Sequence, residues 1–382
     1  MPSDAYILGT GLTPFGDLGP AGTLELMSRA AQAALDDAGL TRDAVDGLLV
    51  GYSTTFPHLM LSTAFAEHFG LQPHYAHGMQ LGGATGLAMV AAARHLVAAG
   101  AARNLLVVAG ENRRSGQTPD QTISTLAQVG DPAHEVPNGG TVPAYYALVA
   151  SRYLAATGCS EADLAELVVL MRRHAAGYPG AHYPTPVTQE EVLASRPIAT
   201  PLKRLDCCPI SDGAAALLVS ADPPAAAPRI AIAGTGQAHT HQSLMHAPDE
   251  LGAGAAAAAG RAFSQAGRKP ADMQLLGIYD SFSVTLALLL EACGFAPPGG
   301  AGATARAGHF ALDGAQPLNP HGGLLAYGHC GVAGGLAHGV EAARQLAGRS
   351  PVQIAPAPTC AYVHADGGVL SSHVGLVLER RA

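Results

Sequence analysis

The segment from Asn319 to Gly331 reads Asn-Pro-His-Gly-Gly-Leu-Leu-Ala-Tyr-Gly-His-Cys-Gly and sets His329 just ahead of a run of small residues with helical character. An imidazole at a helix start shares its space with backbone N–H groups, a combination that polarises a carbonyl and steadies a developing oxyanion. An isolated histidine is more simply a packed core residue, but the Gly328-His329-Cys330-Gly331 run behind the Gly322-Gly323 turn favours chemistry. The candidates for proton transfer beside it are Tyr279 and Asp280 at a predicted strand end, Tyr327, and His364 and Asp366 in a Gly-rich turn. Each has a structural competitor. Tyr279 can simply pack, Asp280 can brace a helix beginning at Ser281, and Tyr327 can wedge the turn before His329. Aspartate is commonplace in turns such as that around Asp366, and His321 and His373 read as surface or packing residues.

Other chemistries find less support. The six cysteines, Cys159, Cys207, Cys208, Cys293, Cys330 and Cys360, form no C-x-x-C pair, which argues against a disulfide framework or a complete zinc site. The loop histidines match no metal-ligand spacing, so no metal is expected. Gly9-Thr10-Gly11 after a strand invites comparison with a dinucleotide fingerprint, yet the third glycine is missing and Pro14 stands in its place.

The elements that must position these residues are duplicated. The first copy runs from Tyr6-Ile7-Leu8-Gly9-Thr10-Gly11 through a helix ending at Ala38-Gly39 to the strand at Asp46–Tyr52. The second runs from Ile230-Ala231-Ile232-Ala233-Gly234-Thr235-Gly236 through a helix ending at Ala266-Gly267 to Leu275–Asp280. Each reads as strand, helix with a C-capping glycine, short turn, strand. An apolar-all-round helix follows in each copy, at Gly86–Leu96 and Gly331–Leu346, and then a buried strand, expected at Asn104–Ala109 and Val352–Ala355. A helix apolar on every side must be buried on every side, as between two sheets. The halves span residues 1–222 and 228–382, and the first carries an excursion over 112–205. Its length suits a cap over a site or a subunit face; it holds an amphipathic helix at Ala162–His174 and Pro/His/Tyr-rich loops.

At 382 residues, 48% apolar and 13% charged, the chain has the composition of a large folded body, and its 47 glycines suit close packing of backbone layers. A net charge of −8 without a basic cluster argues against nucleic acid or anionic membranes as partners. No secretion signal is read at the start, and the apolar run from Gly252 to Gly260 is too short to span a bilayer, so the cytosol is the expected compartment.

This layout, with Cys207-Cys208-Pro209-Ile210-Ser211-Asp212-Gly213-Ala214-Ala215-Ala216 and the Gly322–Gly335 block, resembles the thiolase superfamily, in particular its lipid-transfer and sterol-carrier branch. The resemblance covers nearly the whole chain. It implies the thiolase fold, a duplicated five-layer α-β-α-β-α α/β body with the active site between the halves. It further implies acyl-CoA substrates with coenzyme A as part of the substrate, no covalently bound cofactor and a homodimer. A small OB-fold and zinc-ribbon partner subunit often accompanies this branch.

Position by position, the likeness breaks at the nucleophile. The family's catalytic histidine is His329, but its first cysteine falls on Gly83. Its Asn-Glu-Ala-Phe block falls on Tyr279-Asp280-Ser281-Phe282, and its second cysteine on the His364-Ala365-Asp366-Gly367-Gly368 stretch. Gly83, Ser281, Gly328, Cys330 and His364 are thereby expected against the substrate. Without a thiolate there is no acyl-enzyme, so the parent thiolysis is unexpected. A site that holds an enolate but offers no nucleophile can still cleave a β-hydroxyacyl-CoA by retro-aldol chemistry, as thiolase-like aldolases of steroid side-chain breakdown do. Tyr279 or Asp366 is then the base and His329 the enolate donor. The alternatives are an acyltransferase using Cys330, Cys360 or a partner's residue, and a non-catalytic subunit that binds acyl-CoA.

Overall fold

In the computed structural model, which describes residues 5–224 and 227–381, the first half runs β1 (Tyr6–Leu12), α1 (Thr23–Ala38), β2 (Gly47–Gly51), α2 (Leu61–Phe69), β3 (Tyr75–Met79), α3 (Thr85–Ala98) and β4 (Asn104–Asn112). The excursion then holds α4 (Pro119–Ala127), α5 (Val142–Thr157), α6 (Glu161–Ala175), α7 (Gln189–Ala194) and the short hairpin of β5 (Pro197–Ala199) and β6 (Leu202–Lys203). Strand β7 (Asp212–Ser220) closes the half. The second half runs β8 (Arg229–His239), α8 (Ala253–Ala266), β9 (Leu276–Ile278), α9 (Ser283–Ala292), α10 (Ala301–Arg306), α11 (Gly323–Ala326), α12 (Val332–Ala347), β10 (Cys360–Gly367) and β11 (Ser372–Arg381).

The strands lie in the order β3-β2-β4-β7-β1-β8-β11-β10-β9, one hydrogen-bonded sheet whose two halves meet along β1 and β8, with Tyr6 opposite Ala231 and Ile7 opposite Ile230. Strand alternation separates the layers. Leu48, Val50, Leu106 and Val108 pack with α1 and α2 on the outside, while Leu49, Leu105 and Val107 join the interior core with α3 and α12. Helices α3 and α12 touch each other and strands of both halves, and α8 covers the outer face of β8 and β11. The result is the expected α-β-α-β-α stacking, with Gly86 admitting the close approach of Leu336 across the central layer.

The Gly-Thr-Gly repeat has a steric cause. A Cβ at Gly9 or Gly11 would run into the carbonyl oxygens of Ala34 or Ala30 on α1, and one at Gly234 or Gly236 into those of Ala262 or Ala258 on α8. These glycines let a helix lie directly on its strand rather than cradle a phosphate. Gly39 and Gly267 end α1 and α8 with φ of 66° and 65°, the left-handed cap that the duplication implies.

Two expectations need correction in the second half. Val352–Ala355 is not a strand; the equivalent of β4 is β10, eight residues further on, after the interruptions at Pro351, Pro356 and Pro358. His364 and Asp366 therefore sit on a buried strand, and the turn begins only at Gly368. The third strand of the second half is also reduced to one bridge, Leu276 with Leu318, where the first half has all of β3. No helix among the described residues is long and apolar enough to cross a membrane.

Candidate active site

The N-termini of the two central helices open on one cavity of about 230 Å³, with Gly82 and Gly83 ahead of α3 and His329 and Gly331 ahead of α12. Two helix starts aimed at one space favour negative charge there. The excursion contributes apolar wall through Leu126, Val129, Val142 and Pro143, and Phe282 stacks on Tyr146 with ring centroids 4.3 Å apart.

A Cβ at Gly83 would collide with the hydroxyl of Tyr279 and come within 2.5 Å of the Asp366 carbonyl oxygen. Tyr279 thus fills the room that a side chain at position 83 would need. Its hydroxyl lies 2.8 Å from His329 Nε2. The Gly331 N–H donates to His329 Nδ1 at 3.2 Å, so Nδ1 bears the lone pair. Burial, with a further contribution from the positive charge of Arg113, pushes the His329 pKa down to about 3, so the ring is neutral at physiological pH. A neutral ring that accepts at Nδ1 carries its hydrogen on Nε2 and donates it to the Tyr279 oxygen. The phenolic hydrogen is then free to point elsewhere. In this structure the His329 Nε2 hydrogen is thus directed at Tyr279, whereas the sequence reading aims it at an enolate oxygen.

Asp366 projects from β10 into the same cavity and is 1% exposed. The Tyr146 hydroxyl donates to its Oδ2 at 2.8 Å, and its Oδ1 has no hydrogen-bond partner among the described residues. Burial raises its pKa from 3.8 to about 8, against the opposing effects of Tyr146 and backbone donors. The nearest cation candidate is His373, whose Nδ1 stands 3.9 Å from Oδ1 and whose pKa burial lowers to about 4. Asp366 is thus a carboxyl without a counter-charge that changes protonation near neutrality. Tyr279 differs: burial, reinforced by Asp366, holds its hydroxyl well above the usual tyrosine value.

Of the other expected residues, Ser281 and Gly83 line the cavity. Asp280 does not. It is fully buried and accepts from the Leu324 and Leu325 N–H groups at 2.7 and 3.2 Å, bracing α11 rather than α9, which starts at Ser283. Tyr327 is also outside, donating to the Thr13 carbonyl at 2.9 Å and packing on Phe15. Gly328, at φ 127°, faces Ser211 and Phe15, and only its neighbour His329 reaches the site. His364 turns away into a buried ladder, with Nδ1 2.8 Å from the Tyr362 hydroxyl and Nε2 3.2 Å from His373. His321 and His373 are buried, so packing and not the surface is their place.

Neither thiol considered as a substitute nucleophile reaches the cavity. Cys330 and Cys360 are buried away from it, and burial raises both thiols, that of Cys360 to about 12. Cys207 and Cys208 do line it, but burial pushes Cys207 to about 12 and Cys208 higher. A thiol so far from ionisation is a poor nucleophile.

Sequence reasoning missed Tyr52, Tyr146 and Arg113, all of which line the cavity. For Arg113 a signal existed: Glu111-Asn112-Arg113-Arg114 places charges at the C-terminal end of a buried strand running parallel to β2, the end where α/β sheets place their sites. Among the described residues, no group of three or more His, Cys, Asp or Glu is arranged to hold a metal.

A duplicated layered body with paired central helices converging on a histidine-bearing cavity defines a thiolase-fold protein. The chain belongs to the thiolase family: Thiolase, N-terminal domain matches residues 5–222 and Thiolase C-terminal domain-like matches 236–380. It is 30% identical to an acetyl-CoA acetyltransferase of Methanothermobacter thermautotrophicus, over 97% of this chain and 99% of that one. It is 31% identical to the 17-hydroxy-3-oxo-4-pregnene-20-carboxyl-CoA lyase of Mycobacterium tuberculosis, over 99% of this chain and 100% of that one. Among solved structures, the Ltp2-ChsH2(DUF35) aldolase superposes with a TM-score of 0.86 at 30% identity, covering 99% of this chain and 98% of its own.

Proposed function

We propose that this chain is a carbon–carbon lyase that cleaves β-hydroxyacyl-CoA thioesters by retro-aldol chemistry. The observation that carries the reading is the Tyr279 hydroxyl standing where a nucleophilic side chain at position 83 would be, tied to His329 and beside Asp366. The likeness to a pregnene carboxyl-CoA lyase and to an aldolase structure supports it.

Asp366, as the carboxylate, takes the β-hydroxyl proton. The O–H electron pair becomes the carbonyl of the departing ketone or aldehyde, and the Cα–Cβ pair moves into the thioester as an enolate. Tyr279, its oxygen bonded to the His329 Nε2–H, delivers its proton to Cα. The proton gained by Asp366 and the one lost by Tyr279 balance, and exchange with water resets the pair. The cavity of about 230 Å³ is below the ~300–1,000 Å³ of sites that enclose drug-sized ligands. It therefore holds the reacting end of the substrate, with apolar walls for the acyl carbons, and the rest extends outward.

The acyltransferase reading loses its nucleophile, because each thiol at the cavity is held protonated by burial. The assembly we favour is a homodimer with a small OB-fold and zinc-ribbon subunit. Support comes from the outer edge of β3, unpaired among the described residues, with the exposed Leu59 and Met60, and from the two-component aldolase to which the chain is similar. Coenzyme A enters as part of the substrate, and six free thiols suit the cytosol.

The test supplies purified protein, with and without its partner subunit, with β-hydroxyacyl-CoAs, and separately with β-ketoacyl-CoAs plus free CoA. Ketone release without CoA consumption is expected. CoA-dependent thiolysis, or binding without turnover of either class, overturns the proposal.

A further inference from the structure

Cleavage of the Cα–Cβ bond leaves a negative charge on the thioester oxygen, and the groups described so far do not meet it. The His329 Nε2 hydrogen is directed at Tyr279, its Nδ1 accepts from Gly331, and the Tyr279 proton goes to Cα.

Arg113 lines the same cavity just beyond the end of β4 and is 6% exposed. Its Nε is buried without a hydrogen-bond partner, and the guanidinium forms no ion pair with a carboxylate among the described residues. Glu111, two residues earlier, accepts at Oε2 from the Thr54 N–H at 2.9 Å and from the Thr54 hydroxyl; its Oε1 lies beside Gly331, where it feels the charge of Arg113 without coming into ion-pair contact. A buried guanidinium with no carboxylate in ion-pair contact is costly, and its planar fork suits oxyanions. Its position is also specific: a Cβ on Gly331, the residue ahead of α12, would collide with Glu111 Oε1 and stand 3.6 Å from Arg113 Cδ, so Arg113 shares this helix start with the Glu111 carboxyl and alone of the two lines the cavity. The stem of the side chain thus lies at the same helix start that favours an anion.

We propose that Arg113 is a catalytic residue that receives the enolate oxygen of the acyl-CoA thioester. The assignment rests on the retro-aldol reading of the site. Arg113 contributes hydrogen bonds and charge and takes no part in the proton transfers, so the proton balance of the reaction is unchanged.

The experiment separates the two claims. The full chain, with its partner subunit where one co-purifies, is given 3-hydroxy-3-methylbutanoyl-CoA to follow acetone release. In a second arm it is given propionyl-CoA in D2O, to follow deuterium entry at Cα by mass. Arg113→Met and Arg113→Gln are measured beside the wild type, each with its melting temperature, so that poor folding of one leaves the other informative. Both rates are expected to fall about 10²–10³-fold with little change in KM, the loss typical of an oxyanion donor, and Arg113→Lys is expected to recover part of it. Folded variants that keep both rates, or that raise KM alone, overturn the assignment. Deuterium entry without cleavage by the wild type removes the lyase reading yet leaves Arg113 as an enolate receiver. Neither reaction in the wild type removes both.

Discussion

The hydroxyl of Tyr279 occupies the space into which a Cβ on Gly83 would project. The two residues come from different halves of the duplicated body, Gly83 ahead of α3 and Tyr279 just after β9. A side chain at one position excludes the tyrosine at the other, so losing the nucleophile and gaining the phenol are one change of packing.

Gly83→Ala is expected to destabilise by about 1–3 kcal/mol, the usual range for overpacking a close-packed site. The penalty shrinks in a Tyr279→Ala background, because the collision with the ring is gone. Denaturant unfolding of the four chains in a double-mutant cycle measures the coupling. Equal penalties in both backgrounds would refute the contact.

Tyr279→Phe keeps the ring and removes the transferable proton. Cleavage is expected to slow by about 10²–10⁴-fold, the range for a positioned acid or base, with the melting temperature little changed. His329→Ala is expected to act through the same bond and cost less when Tyr279 is already Phe. Steady-state kinetics of the single and double variants test this.

The pH dependence belongs to Asp366. A base must be ionised to act, so cleavage is expected to rise with pH and level off above about 8, and Asp366→Asn abolishes it. His329, with its pKa lowered to about 3, contributes no change between pH 5 and 8. A rate that falls as pH rises through this window would exclude Asp366 as base.

Stability carries the same signature with a definite sign. Unfolded, the carboxyl ionises near its ordinary 3.8, whereas folded it keeps its proton to about 8. Between those values the folded chain holds the extra proton, so stability falls as pH rises and the loss is complete above about 8. Asp366→Asn is expected to flatten that slope, with a gain on the order of a few kcal/mol near pH 8. Thermal melts of both chains from pH 4 to 9 measure the difference.

Asp280 separates bracing from chemistry. Asp280→Ala strips the acceptor from the Leu324 and Leu325 N–H groups, a loss of about 0.5–2 kcal/mol if it behaves as a helix cap. Activity is expected to fall only as His329 shifts, without a new pH dependence. A change in the pH profile would return Asp280 to the proton-transfer machinery.

The duplication was legible in the sequence because its causes are local. Strand glycines that admit a helix, left-handed glycine caps and two all-apolar helices each leave a pattern within a few residues, and from these the layered fold follows. His329 and the missing side chain at Gly83 were legible for the same reason, as a family motif kept and a family motif broken. The tertiary structure alone decided how the polar groups face. His364 and Asp366 share one face of β10, and only the position of the cavity at the C-terminal end of that strand admits Asp366 while His364 stays in the ladder with Tyr362 and His373. Arg113, Tyr146 and Tyr279 meet across stretches of chain more than thirty residues apart, and no local pattern reports such distances. The direction of the His329 hydrogen depends on the Gly331 amide and the Tyr279 oxygen together, and only the folded chain brings both to the ring.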